Sequence, residues 1–218
     1  MASPSEIRRL FMEAYMRRFQ PERDPKRIRV HEVVSCLRKS FLTRVFPRPI
    51  AAEKAVILFI GEHVHLILGE ELRRHGWRVE EPVEAMRNGV ALTGHPDAWR
   101  DGTVLELKTI FTLPREPLEH HLRQTRIYMA LTGAGEGYLV YIGRGRGGVR
   151  VFQVSPCGGV LDWAFGRAVT LSRCLLEMVA PPKEPGWLCR YCEYVDLCRN
   201  LGESFKYVDD TAVTEGNV

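Results

Sequence analysis

Gly94-His95-Pro96-Asp97 and Leu105-Glu106-Leu107-Lys108, joined through the turn Arg100-Asp101-Gly102, decide how this chain is read. On a strand, side chains alternate between faces. Glu106 and Lys108 therefore point one way, and Leu105 and Leu107 point the other way into a core. Two charges on one face of an otherwise apolar strand need partners, because burying unpaired charge is costly. A surface strand with an ordinary Glu/Lys pair would satisfy the same pattern, so the neighbouring residues have to choose between the two.

Asp97 precedes the turn into this strand, and a hairpin brings its carboxylate beside Glu106. Two carboxylates and a backbone carbonyl make an oxygen-rich site suited to Mg²⁺ or Mn²⁺. Such an ion activates water and stabilises charge growing on a phosphodiester. Lys108 beside it is placed to orient the water or stabilise the transition state.

Working outward, 53–75 reads as a long helix ended by Gly76. It carries Gly61 and His65, and Leu58, Leu68 and Leu72 share the His65 face, where a buried core histidine is the competing reading. Strand periodicity follows at 78–86, 89–95 and 103–110. Residues 117–132 return to helical spacing, with Gln124 and Tyr128 four apart on one surface. Strands at 137–142 and 149–154 flank a Gly/Arg turn, and a helix covers 161–179. Before them lie a helix at 4–20, with Ile7, Leu10, Phe11, Ala14 and Tyr15 on one face, and one or two short helices in 33–46. The order predicts an α/β fold with a mixed central sheet flanked by helices.

Gly-x-x-x-His on a helix, Gly-x-x-Asp, Glu-x-Lys on a strand and Gln-x-x-x-Tyr on a helix occur here in sequence, from Gly61 to Tyr128. The series resembles the RecB-like branch of the PD-(D/E)XK nucleases, whose core is restriction-endonuclease-like. The resemblance implies that His65, Asp97 and Glu106 bind the divalent ion with help from the Leu107 carbonyl. It implies that Lys108 is the catalytic lysine, and that Gln124 and Tyr128 position DNA or active-site groups. His63 neighbours the motif, but His65 fits its spacing. His95, His120 and His121 match no motif position.

Six cysteines without a secretory signal argue for metal or cluster ligation over disulfides. Cys189-x-x-Cys192-x(5)-Cys198 follows a linker marked by Pro181, Pro182 and Pro185. Cys36 is the natural fourth ligand, and Cys157 and Cys174 read as ordinary free cysteines. Four thiolates suit Zn²⁺ or an iron–sulfur cluster. A remote cysteine plus a C-terminal trio is less typical of zinc, which more often uses two Cys-x-x-Cys pairs. With the nuclease motifs between them, these cysteines look like the fourth family of CRISPR-associated proteins, and more broadly like iron–sulfur exonucleases of the RecB type. That resemblance implies a four-iron cluster, with a two-iron cluster as the alternative. It further implies 5′-to-3′ cutting of single-stranded DNA or overhangs, a task in trimming DNA for new CRISPR spacers, and the CRISPR integrase proteins as partners. The chain divides accordingly into an N-terminal helical region (1–50), a nuclease core (51–180), a Cys-rich module (181–208) and a disordered tail (209–218).

Composition is compatible with this and adds little. The 218 residues are 45% hydrophobic, enough for one packed domain. The net charge of +4 is too mild to demand a polyanion, although only six of 31 basic residues are lysine and arginine suits phosphate recognition. Arg144, Arg146 and Arg150 around the Gly-rich turn are candidate phosphate contacts, or simply an exposed charged turn. No apolar run approaches the roughly 20 residues that span a membrane, so a cytoplasmic protein is expected. Two rivals to a nuclease remain at this level: a non-catalytic iron–sulfur DNA-binding subunit, and a zinc-stapled structural protein.

Overall fold

A computed structural model gives the structure of residues 3–16, 22–48 and 52–202. Its strands form two sheets. The larger runs β2 (Arg78–Val79), β5 (Ala98–Arg100), β6 (Thr103–Ile110), β7 (Glu136–Gly143), β8 (Val149–Val154). Only β6 and β7 are parallel in it. Parallel neighbours need a crossover, and helix α5 (Glu119–Thr132) supplies it. The smaller sheet places β4 (Val90–Gly94) between β1 (Arg27–Arg29), parallel to it, and β3 (Val83–Arg87), antiparallel to it. Both sheets are mixed and helices pack against them, as the sequence predicts, but the strands are divided where one sheet was expected.

The division starts in the stretch expected to be one strand at 78–86. It breaks between β2 and β3, where Glu80 takes a left-handed backbone (φ 56°) and Pro82 offers no N–H. β2 then pairs with β5 while β3 pairs with β4. Two tight turns hold the hairpins. Asn88 and Gly89 (φ 51° and 72°), and Asp101 and Gly102 (φ 50° and 77°), are consecutive left-handed pairs, the Asn-Gly and Asp-Gly chemistry of two-residue hairpins. The short strands β1 and β5 have no counterpart in the sequence reading, being too brief to show a period.

The helices are α1 (Pro4–Met16), α2 (Val30–Val34), α3 (Leu37–Val45), α4 (Ala52–Arg74), α5, α6 (Val160–Glu177) and α7 (Val195–Asn200). The expected helix at 4–20 is borne out to Met16, and its last residues, like the expected disordered tail, lie outside the described part. Ile28, Phe41, Leu92, Val104, Leu139 and Leu171 are all fully buried. They come from both sheets, α3 and α6, so one core joins the elements, each such side chain contributing about 1.5–3 kcal/mol. The α4 face expected to be core is half open: Leu58 and Leu68 remain 39% and 36% exposed.

The chain after α6 packs back onto the N-terminal helices. Arg38, fully buried, donates to the carbonyls of Pro181 (2.8 Å), Leu201 (3.2 Å) and Gly202 (2.6 Å). The Tyr194 hydroxyl donates to the Phe46 carbonyl at 3.1 Å. Glu184 accepts from the Leu37 N–H and pairs with both terminal nitrogens of Arg167. No helix among the described residues is long and apolar enough to cross a membrane.

Candidate metal centre and active site

The β5–β6 register places the carboxylates. Ala98 faces Leu105 across the pair, so Asp97, one residue further, lies beside Glu106. The Asp97 Oδ2 accepts the Leu107 N–H at 2.6 Å, which fixes the loop to the strand. From α4, His65 Nδ1 lies 2.9 Å from Asp97 Oδ1. Lys108 Nζ donates to Glu106 Oε1 at 2.6 Å. His65, Asp97, Glu106, Leu107 and Lys108 thus converge.

The motif glycines make room for this convergence. A Cβ on Gly61 would sit 3.0 Å from Thr109 Oγ1, so glycine lets α4 press against β6. A Cβ on Gly94 would sit 2.6 Å from Tyr128 Cε1 and 2.8 Å from its hydroxyl. Tyr128 needs that space: it lies buried over β4. Burial pushes its phenol well above the usual range, with the Glu106 charge adding to it.

Electrostatically the centre is short of positive charge. Glu106 is 1% exposed, and its Oε2 has no hydrogen-bond partner among the described residues. An unpaired buried oxygen costs on the order of 1–3 kcal/mol, more when charged. Burial and then the Asp97 charge push the Glu106 carboxyl up to about 8, despite Lys108. Asp97 is held below its ordinary value: burial works against it, but the His65 hydrogen bond, Lys108 and the Leu107 N–H outweigh that. Burial lowers His65 and the Asp97 hydrogen bond and charge more than restore it, leaving it raised. Lys108 is likewise raised, its burial outweighed by Glu106 and Asp97. A divalent cation would answer both the orphaned oxygen and the charge deficit, and the donor set of imidazole and carboxylates suits one.

The face expected to enter the core does so at Leu107, 4% exposed, while Leu105 is only half-buried; the opposite face is buried as well, with Val104 and Glu106 0% and 1% exposed. The reason is α5, which covers that face. A Cβ on Gly137, the register partner of Val104, would meet Met129 and Thr125 of this helix.

Glu80 is the residue the motifs missed. Its carboxylate joins the His65 imidazole and the Asp97 carboxylate in a group whose ligand atoms all lie within 4.8 Å of one another. Burial and the Asp97 charge raise it to about 7. The usable signal was the Pro82 break, which turns an acidic residue out of the strand run. His63 bonds back to Phe59 of its own helix at 2.8 Å, away from the centre. His121 Nδ1 lies 3.0 Å from the Tyr141 hydroxyl, and burial followed by the Lys108 charge lowers it to about 2. Tyr141 is the register partner of Lys108, so His121 is one residue removed from the lysine.

Arg144 and Arg146 lie exposed on the β7–β8 turn, which is bonded to the exit of β6 through Arg144 N–H to Ile110 O and Gly145 N–H to Phe111 O. Arg150 donates to the Pro114 carbonyl. Cys36, Cys189, Cys192 and Cys198 line one cavity of about 690 Å³, together with Trp163 and Arg167. Cys36 caps the start of α3, Cys189 lies in a 3₁₀ turn (Trp187–Tyr191), Cys192 just after it, and Cys198 in α7. Cys157 is exposed and Cys174 buried, both away from that cavity.

Known proteins agree with this architecture. The sequence pattern of the PD-(D/E)XK nuclease superfamily matches residues 10–199. A search of curated protein sequences gives no match. Among solved structures, the crystal structure of SSO0001 is similar over 91% of this chain and 97% of its own, at TM-score 0.68 and 22% identity. The alkaline exonuclease LHK-Exo from Laribacter hongkongensis, in its complex with dAMP, is similar over 71% of this chain and 89% of its own, at TM-score 0.50 and 12% identity. These identities speak for the fold alone, whereas the sequence pattern spans most of the chain, from before His65 to beyond Lys108. This chain belongs to the PD-(D/E)XK nuclease superfamily.

Proposed function

We propose that this protein is a Mg²⁺- or Mn²⁺-dependent deoxyribonuclease acting on single-stranded DNA or overhangs from the 5′ end. The observation that carries the reading is the orphaned, buried Glu106 Oε2 beside Asp97 and Lys108. A retired site has little reason to keep a buried acid short of a partner. His65, Asp97, Glu106 and the Leu107 carbonyl would hold the cation, which supplies an activated water and charge neutralisation at the phosphate. Lys108, fixed by Glu106, presents its ammonium where negative charge grows. Gln124 and Tyr128 hold the Asp97 loop and the incoming strand in register. Arg144 and Arg146 flank the β6 exit, two residues past Lys108, and with Arg150 are placed to take phosphates.

The four cysteines would hold an iron–sulfur cluster, four-iron in preference to two-iron. The four line one cavity with a single Cys-x-x-Cys pair, where zinc more often uses two such pairs. The role in the cell is proposed on the resemblance alone: trimming DNA for CRISPR spacer acquisition in the cytoplasm, beside the integrase proteins.

The test is degradation of DNA labelled at the 5′ or the 3′ end, single-stranded and duplex, with Mn²⁺, Mg²⁺ or chelator. Early release of the 5′ label from single strands supports the reading. No cutting with any substrate would leave the DNA-binding subunit as the better account, and metal-independent cutting would take the chemistry away from Asp97 and Glu106.

A further inference from the structure

An aromatic row runs from the centre out to the Cys-rich module. It begins at Tyr141, the register partner of Lys108. The His121 ring centroid lies 5.6 Å from that of Tyr141, His120 follows at 4.1 Å, Trp187 at 6.2 Å and Tyr191 at 6.3 Å. Burial lowers both imidazoles, so the two histidines offer neutral rings. The row opens towards solvent as it goes. Tyr141 is fully buried, His120 and His121 are half-buried, and Trp187 and Tyr191 are 56% and 73% exposed. The last two rings stand at 77° to each other, edge to face, which leaves ring faces open. Charge beside them is positive. Arg190 lies exposed in the same 3₁₀ turn and Lys183 shortly before it, and neither has an acidic partner among the described residues.

We propose that Trp187 and Tyr191 form a stacking platform for the bases of single-stranded DNA, which passes along His120 and His121 to Lys108. The inference rests on the single-stranded nuclease reading and assigns its strand-entry site. Stacking on aromatic side chains tolerates any sequence, because every base has a π-face. Cations beside the rings take the intervening phosphates. A duplex keeps its base faces stacked inside, so the platform favours single strands and frayed ends. Its place gives the Cys-rich module a direct part in holding substrate.

Binding of a fluorophore-labelled single strand is measured by anisotropy, with chelator to prevent cutting, on the native protein, W187A, W187F and Y191A. Iron content and unfolding midpoint are compared alongside. W187A and Y191A should each weaken binding about 5- to 150-fold, the usual worth of one stacked base. W187F should keep most of the affinity, and binding of blunt duplex should not change. A single abasic site moved along the strand should cost the native protein affinity at one or two positions, and cost W187A nothing further there. If W187A sheds iron, Y191A and the abasic scan of the native protein carry the test. Native-like affinity in both alanine variants, or an abasic site that costs the native protein nothing anywhere, would overturn the proposal while a native protein that binds and cuts single strands keeps the nuclease reading. A native protein that neither binds nor cuts them takes both away. Self-association lost in W187A, with DNA affinity unchanged, would assign the pair to a second copy of the chain instead.

Discussion

Replacing Gly94 by alanine tests whether the glycine of Gly-x-x-Asp exists to seat Tyr128. The new Cβ would lie 2.6 Å from Tyr128 Cε1, 2.8 Å from the hydroxyl and 3.1 Å from Cζ. Ordinary carbon contacts are about 3.5–4.0 Å, so the ring must retreat by roughly 1 Å. It has little freedom to do so, because Tyr128 is only 4% exposed. Overpacking of this kind costs about 1–3 kcal/mol. In a chain of this size each kcal/mol lowers the unfolding midpoint by about 2–4 °C. G94A should therefore melt roughly 2–12 °C lower, at equal iron content. In a Y128L background the obstacle is gone, and G94A should cost under about 0.5 kcal/mol, giving a coupling energy of about 1–3 kcal/mol in the double-mutant cycle. Equal costs in both backgrounds would refute the argument, as would a G94A protein as stable as the native one.

Three further outcomes are expected. Glu106 releases its proton at about 8 in the folded chain against an ordinary 4.5, and Glu80 at about 7. Without divalent cations the folded state thus binds more protons than the unfolded one between about pH 4.5 and 8, so stability falls as pH rises across that window. Cation affinity rises over the same window, since the ligand must be ionised. Calorimetry in buffers of different ionisation enthalpy should detect proton release on Mn²⁺ binding at pH 7, and pH-independent binding would contradict the assignment. Cys189→Ser should lose iron and make the chain after Pro181 sensitive to protease; iron loss with unchanged resistance would mean that the Arg38 and Tyr194 contacts suffice without a cluster. Arg38→Leu, which strips three carbonyls of their donor, should loosen the same segment by about 2–4 kcal/mol, read as earlier proteolysis beyond residue 180.

What the sequence made legible was whatever repeats with a short period or needs a special residue. Glu106 and Lys108 alternate with leucines, and Asp101-Gly102 announces its turn, so β6 and its carboxylate stood out. Gly61 and Gly94 stood out as motif letters, but their reasons, the Thr109 and Tyr128 contacts, arise between elements far apart in sequence. Glu80 was hidden for a related cause. It belongs to no period, and its place depends on a backbone reversal next to Pro82 and on β2 pairing with β5. Strand alternation showed that Glu106 and Lys108 share a face, but not that α5 lies over it. The tie from Arg38 to Pro181, Leu201 and Gly202 crosses more than 140 positions, and an arginine in a short helix carries no mark of burial.

The central claim is that Asp97 and Glu106 hold the cation while Lys108 acts on the phosphate. It is tested most directly by measuring Mn²⁺ binding and DNA cutting on the same D97A and K108A preparations. The account predicts that D97A loses both, and that K108A keeps Mn²⁺ while cutting falls at least about a hundredfold. Cutting that survives in either variant would contradict it.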